Sequence, residues 1–107
     1  MTLKFTQAVK DNWIDNLESG KYTQGFGSLV DGNGNHCCIG VLGACTPELN
    51  NHLEDEETSP YKFLKNNLGN DVVVTLYDMN DNALTRPANR DYSNVIDFIK
   101  SLPVVDE

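Results

Sequence analysis

Apolar residues recur at helical spacing near the start of the chain, where Phe5, Val9, Trp13 and Leu17 fall four apart and Ala8 and Ile14 widen the stripe. The pattern predicts a first helix over roughly 4 to 19, ended by Gly20, which can take a left-handed backbone. Beyond it, Gln24-Gly25-Phe26-Gly27-Ser28-Leu29-Val30 reads as a short extended run leading into Asp31-Gly32-Asn33-Gly34. Asp-Gly and Asn-Gly accept positive φ at little cost, so a tight β-hairpin is expected, with its return strand near Asn35 to Cys37. Cys38, Val41, Leu42 and Cys45 then share one face of a short helix, closed by Pro47, which disfavours helical geometry at Thr46. Gly40 and Gly43 lie off that stripe, where they let another backbone come close.

Thr46-Pro47 and Ser59-Pro60 each have the form of an N-cap followed by proline in a first helical turn. The second predicts a helix carrying Tyr61, Leu64 and Leu68 to a stop at Gly69. Residues 72–77, Val-Val-Val-Thr-Leu-Tyr, are β-branched enough for a strand, while Asp71 suits the cap of a helix, and both readings stay open. Asn82 to Arg90 reads as a loop, after which Asp91 is expected to cap a last helix that aligns Tyr92, Val95, Ile96, Ile99 and Leu102 before Pro103. The sum is an α+β fold, a hairpin or small antiparallel sheet packed against three to four short helices, in a single domain spanning 1–107.

Charge and cysteine usage narrow the function. Sixteen acidic residues against eight basic ones give a net charge of −8, whose field opposes direct binding to nucleic acid or to acidic membrane surfaces. The densest acidic stretch, Glu54-Asp55-Glu56-Glu57, reads as a solvated loop, or else as a contact for a basic partner. The apolar runs are too short to span a membrane, and the first residues lack a secretory signal, so the cytoplasm is the expected compartment. Three cysteines are then free thiols.

Several constellations invite chemistry. Cys37 and Cys38 stand near a helix start, where the dipole favours a thiolate, and His36 or His52 is a candidate base, so a thiol-dependent enzyme is one alternative. Cys is also among the most buried residue types and Cys38 lies on the apolar stripe, which favours inert packing. A zinc shell drawn from His36, Cys37, Cys38, Cys45 and His52 has poor spacing, because adjacent cysteines point apart and structural zinc sites pair ligands a few residues apart. Asp31, Asn33 and Asn35 match the first positions of a calcium loop, but His36 and Leu42 stand where glycine and glutamate are needed. No metal and no cofactor are therefore expected. Glycines beside an aromatic let a ligand reach backbone amides and stack on a ring, which makes Lys21, Tyr22, Gln24 and Phe26 the candidate ligand-binding residues for a nucleotide-like molecule. The plainer reading places Phe26 in the core of a twisted hairpin. Met79-Asn80-Asp81 reads as a turn or cap, and Trp13 as the largest core side chain.

Four segments occur together in one order: Ser19-Gly20-Lys21-Tyr22-Thr23-Gln24-Gly25-Phe26-Gly27, Cys37-Cys38-Ile39-Gly40-Val41-Leu42, Met79-Asn80-Asp81, and the aromatic-led run from Tyr92 to Ile99. In this the chain resembles a widespread family of small uncharacterised proteins of tailed phages and prophages. It departs from that family in the position of Cys45, three residues after Leu42, and in the longer, proline-containing stretch between Asp81 and Tyr92. The resemblance implies a phage source and assigns no chemistry. With small size and acidity, it leads to the expectation of an accessory binding protein. Such a protein sequesters or inhibits a host protein or a small nucleotide-like host signal in the infected cell, in the service of counter-defence. A thiol-dependent enzyme and an acidic mimic of nucleic acid are the alternatives, and self-association into a homo-oligomer is left open.

Overall fold

The computed structural model describes residues 4–49, 58–82, 84, 87 and 90–105. Among them the regular structure is helical: α1 (Gln7–Glu18), α2 (Cys38–Cys45), α3 (Pro60–Leu68), α4 (Asn70–Asp81) and α5 (Ile96–Lys100). α1 packs on α2 and α5, α2 also meets α3 and α4, and α3 and α4 form a helical hairpin.

Each start follows from local chemistry. Thr6 caps α1 by accepting from the Val9 N–H at 3.3 Å, and Gly20, at φ 77°, lies just beyond its end. Ser59 caps α3 through the Lys62 N–H at 3.2 Å, with Pro60 in the first turn, as its sequence predicts. Thr46-Pro47 instead opens a turn closed by the Leu49 N–H on the Thr46 carbonyl at 3.0 Å. Residues 72–77 are helical: Gly69, at φ 99°, ends α3 and leads directly into α4, where Val73, Leu76 and Asn80 share the buried face. Burial of that face outweighs the strand preference of the valines.

The core is built around Trp13, fully buried, whose ring meets Phe5 edge-on at 6.1 Å, while Phe5 meets Phe63 at 6.2 Å. Its indole N–H donates to the Cys38 carbonyl at 2.8 Å, so the largest core side chain also carries a satisfied polar bond between α1 and α2. Lys10 is buried as well. Its ammonium donates to the carbonyls of Lys100 and Leu102 at 2.7 and 2.6 Å, closing the C-terminal end of α5 with a cation.

The expected α+β architecture is not what forms. Between α1 and α2, the described residues make two isolated bridges, Gln24 with His36 in parallel sense and Val30 with His36 in antiparallel sense, in place of a hairpin or sheet. The turn dipeptides do turn the chain, but through side-chain capture: the Asp31 carboxylate accepts from the N–H groups of Asn33 and Asn35 at 2.8 and 3.0 Å. Gly27, at φ 87°, bends the outgoing arm, and the return arm is taken up at Cys37 as the cap of α2. A single residue, His36, is left for pairing. The result is an irregular strap, residues 21–37, laid across the helices.

The last helix is also shorter than its periodicity predicts. Tyr92 has φ 66° and Asp91 caps no helix, its carboxylate accepting from the Ser93 N–H at 3.1 Å in a local turn, so α5 begins at Ile96. The stretch Glu54-Asp55-Glu56-Glu57, the candidate base His52 and Arg86 lie outside the described residues.

Candidate functional site

The strap is held from behind by three carboxamides. Gln24 and Asn80 are both fully buried, and each is used to capacity or nearly so. Asn80, on the inner face of α4, accepts at Oδ1 from Gln24 Nε2 at 2.8 Å and from the Cys38 N–H at 3.1 Å. Its Nδ2 donates to the Gly25 carbonyl at 2.9 Å and to Asp81 Oδ1 at 2.8 Å. Gln24 Nε2 also donates to Asn94 Oδ1 at 3.0 Å, and Gln24 Oε1 accepts from the Tyr92 N–H at 3.1 Å. Asn94 closes the knot by donating to the Met79 carbonyl at 2.7 Å.

This knot joins the strap, the start of α2, the end of α4 and the turn before α5. It also accounts for the left-handed backbone at Tyr92, since that conformation turns the N–H toward Gln24 while the phenol donates to the His36 carbonyl at 2.7 Å. A non-glycine residue in this region costs on the order of 1–2 kcal/mol, and such a cost persists where surrounding bonds fix it. Two glycines let the strap sit close. A Cβ on Gly40 would lie 2.0 Å from the Leu29 carbonyl oxygen, and one on Gly25 would lie 2.9 Å from the Asn35 carbonyl oxygen.

The candidate thiols sit inside this arrangement. Cys38 is fully buried, and burial pushes its thiol well above the ordinary 9.0, the opposite of what a nucleophile needs. Cys37 is 3% exposed and its sulfur serves as the helix cap of α2, accepting from the Gly40 N–H at 3.3 Å. Cys45 is partly buried, and its thiol is likewise raised by burial. Nδ1 of His36, the described candidate base, has no hydrogen-bond partner among the described residues. Nor, among those residues, does any group of three or more His, Cys, Asp or Glu side chains come together to hold a metal ion. Asp31, the calcium-loop candidate, spends its carboxylate on the N–H groups of Asn35 and Asn33, which hold it below the ordinary 3.8.

Of the four candidate ligand-binding residues, Gln24 is walled in by the knot, whereas Lys21 is exposed on the strap and Tyr22 and Phe26 are partly buried there, Tyr22 packed against the core. There the Lys21 ammonium stands 5.6 Å from the centre of the Tyr22 ring, and Tyr22 meets the His36 ring edge-on at 5.0 Å. The Arg90 guanidinium lies 5.5 Å from the centre of the Phe26 ring. Phe26 is therefore partly buried beneath a cation, not a core residue. Sequence reasoning missed Asn80, Asn94, Arg90 and the inward role of Gln24. For Asn80 a signal existed, because it falls on the apolar stripe with Val73 and Leu76, where a carboxamide must find partners. Nothing local marks Arg90 as the neighbour of Phe26.

No helix among the described residues is long and apolar enough to cross a membrane. Comparison with curated proteins and with solved structures yields no match. Residues 5–104 match one family, the domain of unknown function DUF8296, and over that span the chain belongs to it.

Proposed function

We propose that this chain is an accessory protein of a tailed phage that acts in the cytoplasm of the infected cell by binding a host component one to one, and so blunts a host defence. The phage source rests on the resemblance of its four segments. The binding mode rests on one observation: the outer side of the strap carries two ring–cation pairs, Lys21 with Tyr22 and Arg90 with Phe26, on a scaffold fixed from behind. Rings and cations that are already ordered lose little conformational entropy on contact, which is what a binding surface requires. The shielding of Cys38 and the capping role of Cys37 support the same reading, since neither sulfur is presented to a substrate.

Immobilised protein challenged with host lysate, with captured proteins and small molecules identified by mass spectrometry, tests this reading. A saturable one-to-one capture that Tyr22→Ala abolishes is expected. Conversion of a captured metabolite through many turnovers by the pure chain contradicts it.

A further inference from the structure

We infer that Asn33, at the tip of the strap, is a site of spontaneous chemical modification: its side chain cyclises onto the backbone nitrogen of Gly34 and then opens to aspartate or isoaspartate, which undoes the turn that Asp31 holds. The chemistry needs no partner and does not depend on what the strap binds. In the first step the Gly34 amide nitrogen attacks the side-chain carbonyl carbon of Asn33. A new C–N bond closes a five-membered succinimide, and the carboxamide nitrogen leaves as ammonia, carrying off the proton that the Gly34 amide gave up. Water then adds to either ring carbonyl. Opening on one side leaves aspartate; opening on the other leaves isoaspartate, in which the main chain runs through the former side chain.

Sequence and structure together single out this asparagine. Ring closure brings the following backbone nitrogen against the side chain, which a Cβ on the following residue hinders and glycine, having none, permits. Of the 13 asparagines, only Asn33 is followed by glycine. Its surroundings leave room for the closure: Asn33 and Gly34 are exposed, and a Cβ built on Gly32 or Gly34 meets nothing within 4 Å. The Asn33 carboxamide makes no hydrogen bond to the described residues, whereas those of Asn16, Asn35, Asn67, Asn80 and Asn94 are engaged. Asp31-Gly32 is a dipeptide of the same kind, but a carboxyl group loses its oxygen to such an attack only when protonated, and the N–H groups of Asn35 and Asn33 hold Asp31 ionised. Its second oxygen is also in use, accepting from the Asn35 side chain at 3.1 Å.

The tip depends on the length of chain between residues 31 and 35. The Asp31 N–H donates to the Asn35 carbonyl at 2.9 Å, and the Gly34 N–H donates to the Asp31 carbonyl at 3.1 Å, a bond that must open before the nitrogen attacks. Isoaspartate inserts one methylene, about 1.5 Å of backbone, between residues 33 and 34, so these bonds and those to the Asp31 carboxylate cannot all be kept. It also sets a second carboxylate beside that of Asp31, in a chain whose net charge is already −8. The bond between Gln24 and Asn80 does not pass through the tip and stays closed.

Incubation of the full folded chain at mildly alkaline pH, followed by ion exchange and by fragmentation mass spectrometry that separates isoaspartate from aspartate, tests the inference. A more acidic species, differing by the exchange of NH2 for OH, is expected to accumulate. The change should fall on Asn33, with isoaspartate exceeding aspartate and every other asparagine reacting at least threefold more slowly. Asn33→Gln, which would have to close a larger ring, should remove that species, with unchanged helical circular dichroism certifying the fold. In the separated isoaspartate form, amide exchange should quicken at least fivefold at Gly34 and Asn35 and stay within twofold at Cys38 and Tyr92, whose N–H groups the knot holds. Four results overturn the inference: conversion at Asn33 no faster than at the other asparagines, isoaspartate arising first at Asp31, an acidic species that persists in Asn33→Gln, or unchanged exchange at Gly34 and Asn35 in the isoaspartate form.

Discussion

The strap has an inner and an outer side, and they are made of the same stretch of sequence. Facing inward, Gln24 and Gly25 meet Asn80 in a set of saturated hydrogen bonds, and Gly40 admits the Leu29 backbone against α2. Facing outward, Lys21 is exposed beside the partly buried Tyr22 ring, which also packs on His36 and the core, and Phe26 lies partly buried beneath Arg90. The inner side therefore determines where the strap lies, and the outer side what it can touch. Several of the residues that carry the resemblance, among them Gln24, Gly25, Cys37, Cys38, Gly40, Asn80 and Tyr92, are buried in or behind the strap.

The seat of the strap on α2 is most sensitive at Gly40. Gly40→Ala puts a methyl 2.0 Å from a backbone oxygen that cannot rotate away, so two backbones must separate. We expect a loss of more than about 3 kcal/mol, at or beyond the usual cost of overpacking, seen as a large drop in the urea midpoint. Asn80→Ala should cost about 3 kcal/mol, because it leaves the Cys38 N–H and the Gly25 carbonyl buried and unpaired.

The inner side also sets a pH limit. Burial raises the Cys38 thiol above its ordinary 9.0, and burial raises Tyr92 above its ordinary 10.0. The folded state thus holds these protons more tightly than the unfolded state, so their contribution to stability is complete below about pH 9 and is lost as pH rises beyond it. Urea midpoints measured from pH 7 to 11 should fall on the alkaline side. Cys38→Ala removes the thiol's share of that slope, whatever its effect on stability at neutral pH.

The smallest effect belongs to the outer side. Lys21→Gln should change stability by less than about 1 kcal/mol, as exposed positions outside the knot do. A larger loss there would erase the distinction between the two sides.

Much of the helical frame is legible in the sequence. The spacing of Phe5, Val9, Trp13 and Leu17 gives α1, the stripe of Cys38, Val41 and Leu42 gives α2, and Ser59-Pro60 gives the start of α3. The hairpin is misread because Asp-Gly and Asn-Gly report only that the chain turns. Whether two strands then pair depends on the Asp31 carboxylate capturing Asn33 and Asn35 and on Cys37 leaving the strand to cap a helix. The last helix is overextended in the sequence reading because periodicity cannot reveal that Gln24, 68 residues away, holds Tyr92 in a left-handed turn. The site divides in the same way. Composition and glycine spacing single out Lys21, Tyr22 and Phe26 only as candidates, and the inward turn of Gln24 and the arrival of Arg90 over Phe26 are tertiary facts.

Gln24 and Asn80, joined at 2.8 Å, act as one unit that fixes the strap. A double-mutant cycle of Gln24→Ala and Asn80→Ala, followed by urea unfolding, measures it directly. Residues sharing a buried hydrogen-bond network should couple by about 1–2 kcal/mol, so the double variant is less destabilised than the sum of the two single ones. Additivity within about 0.5 kcal/mol would contradict the claim.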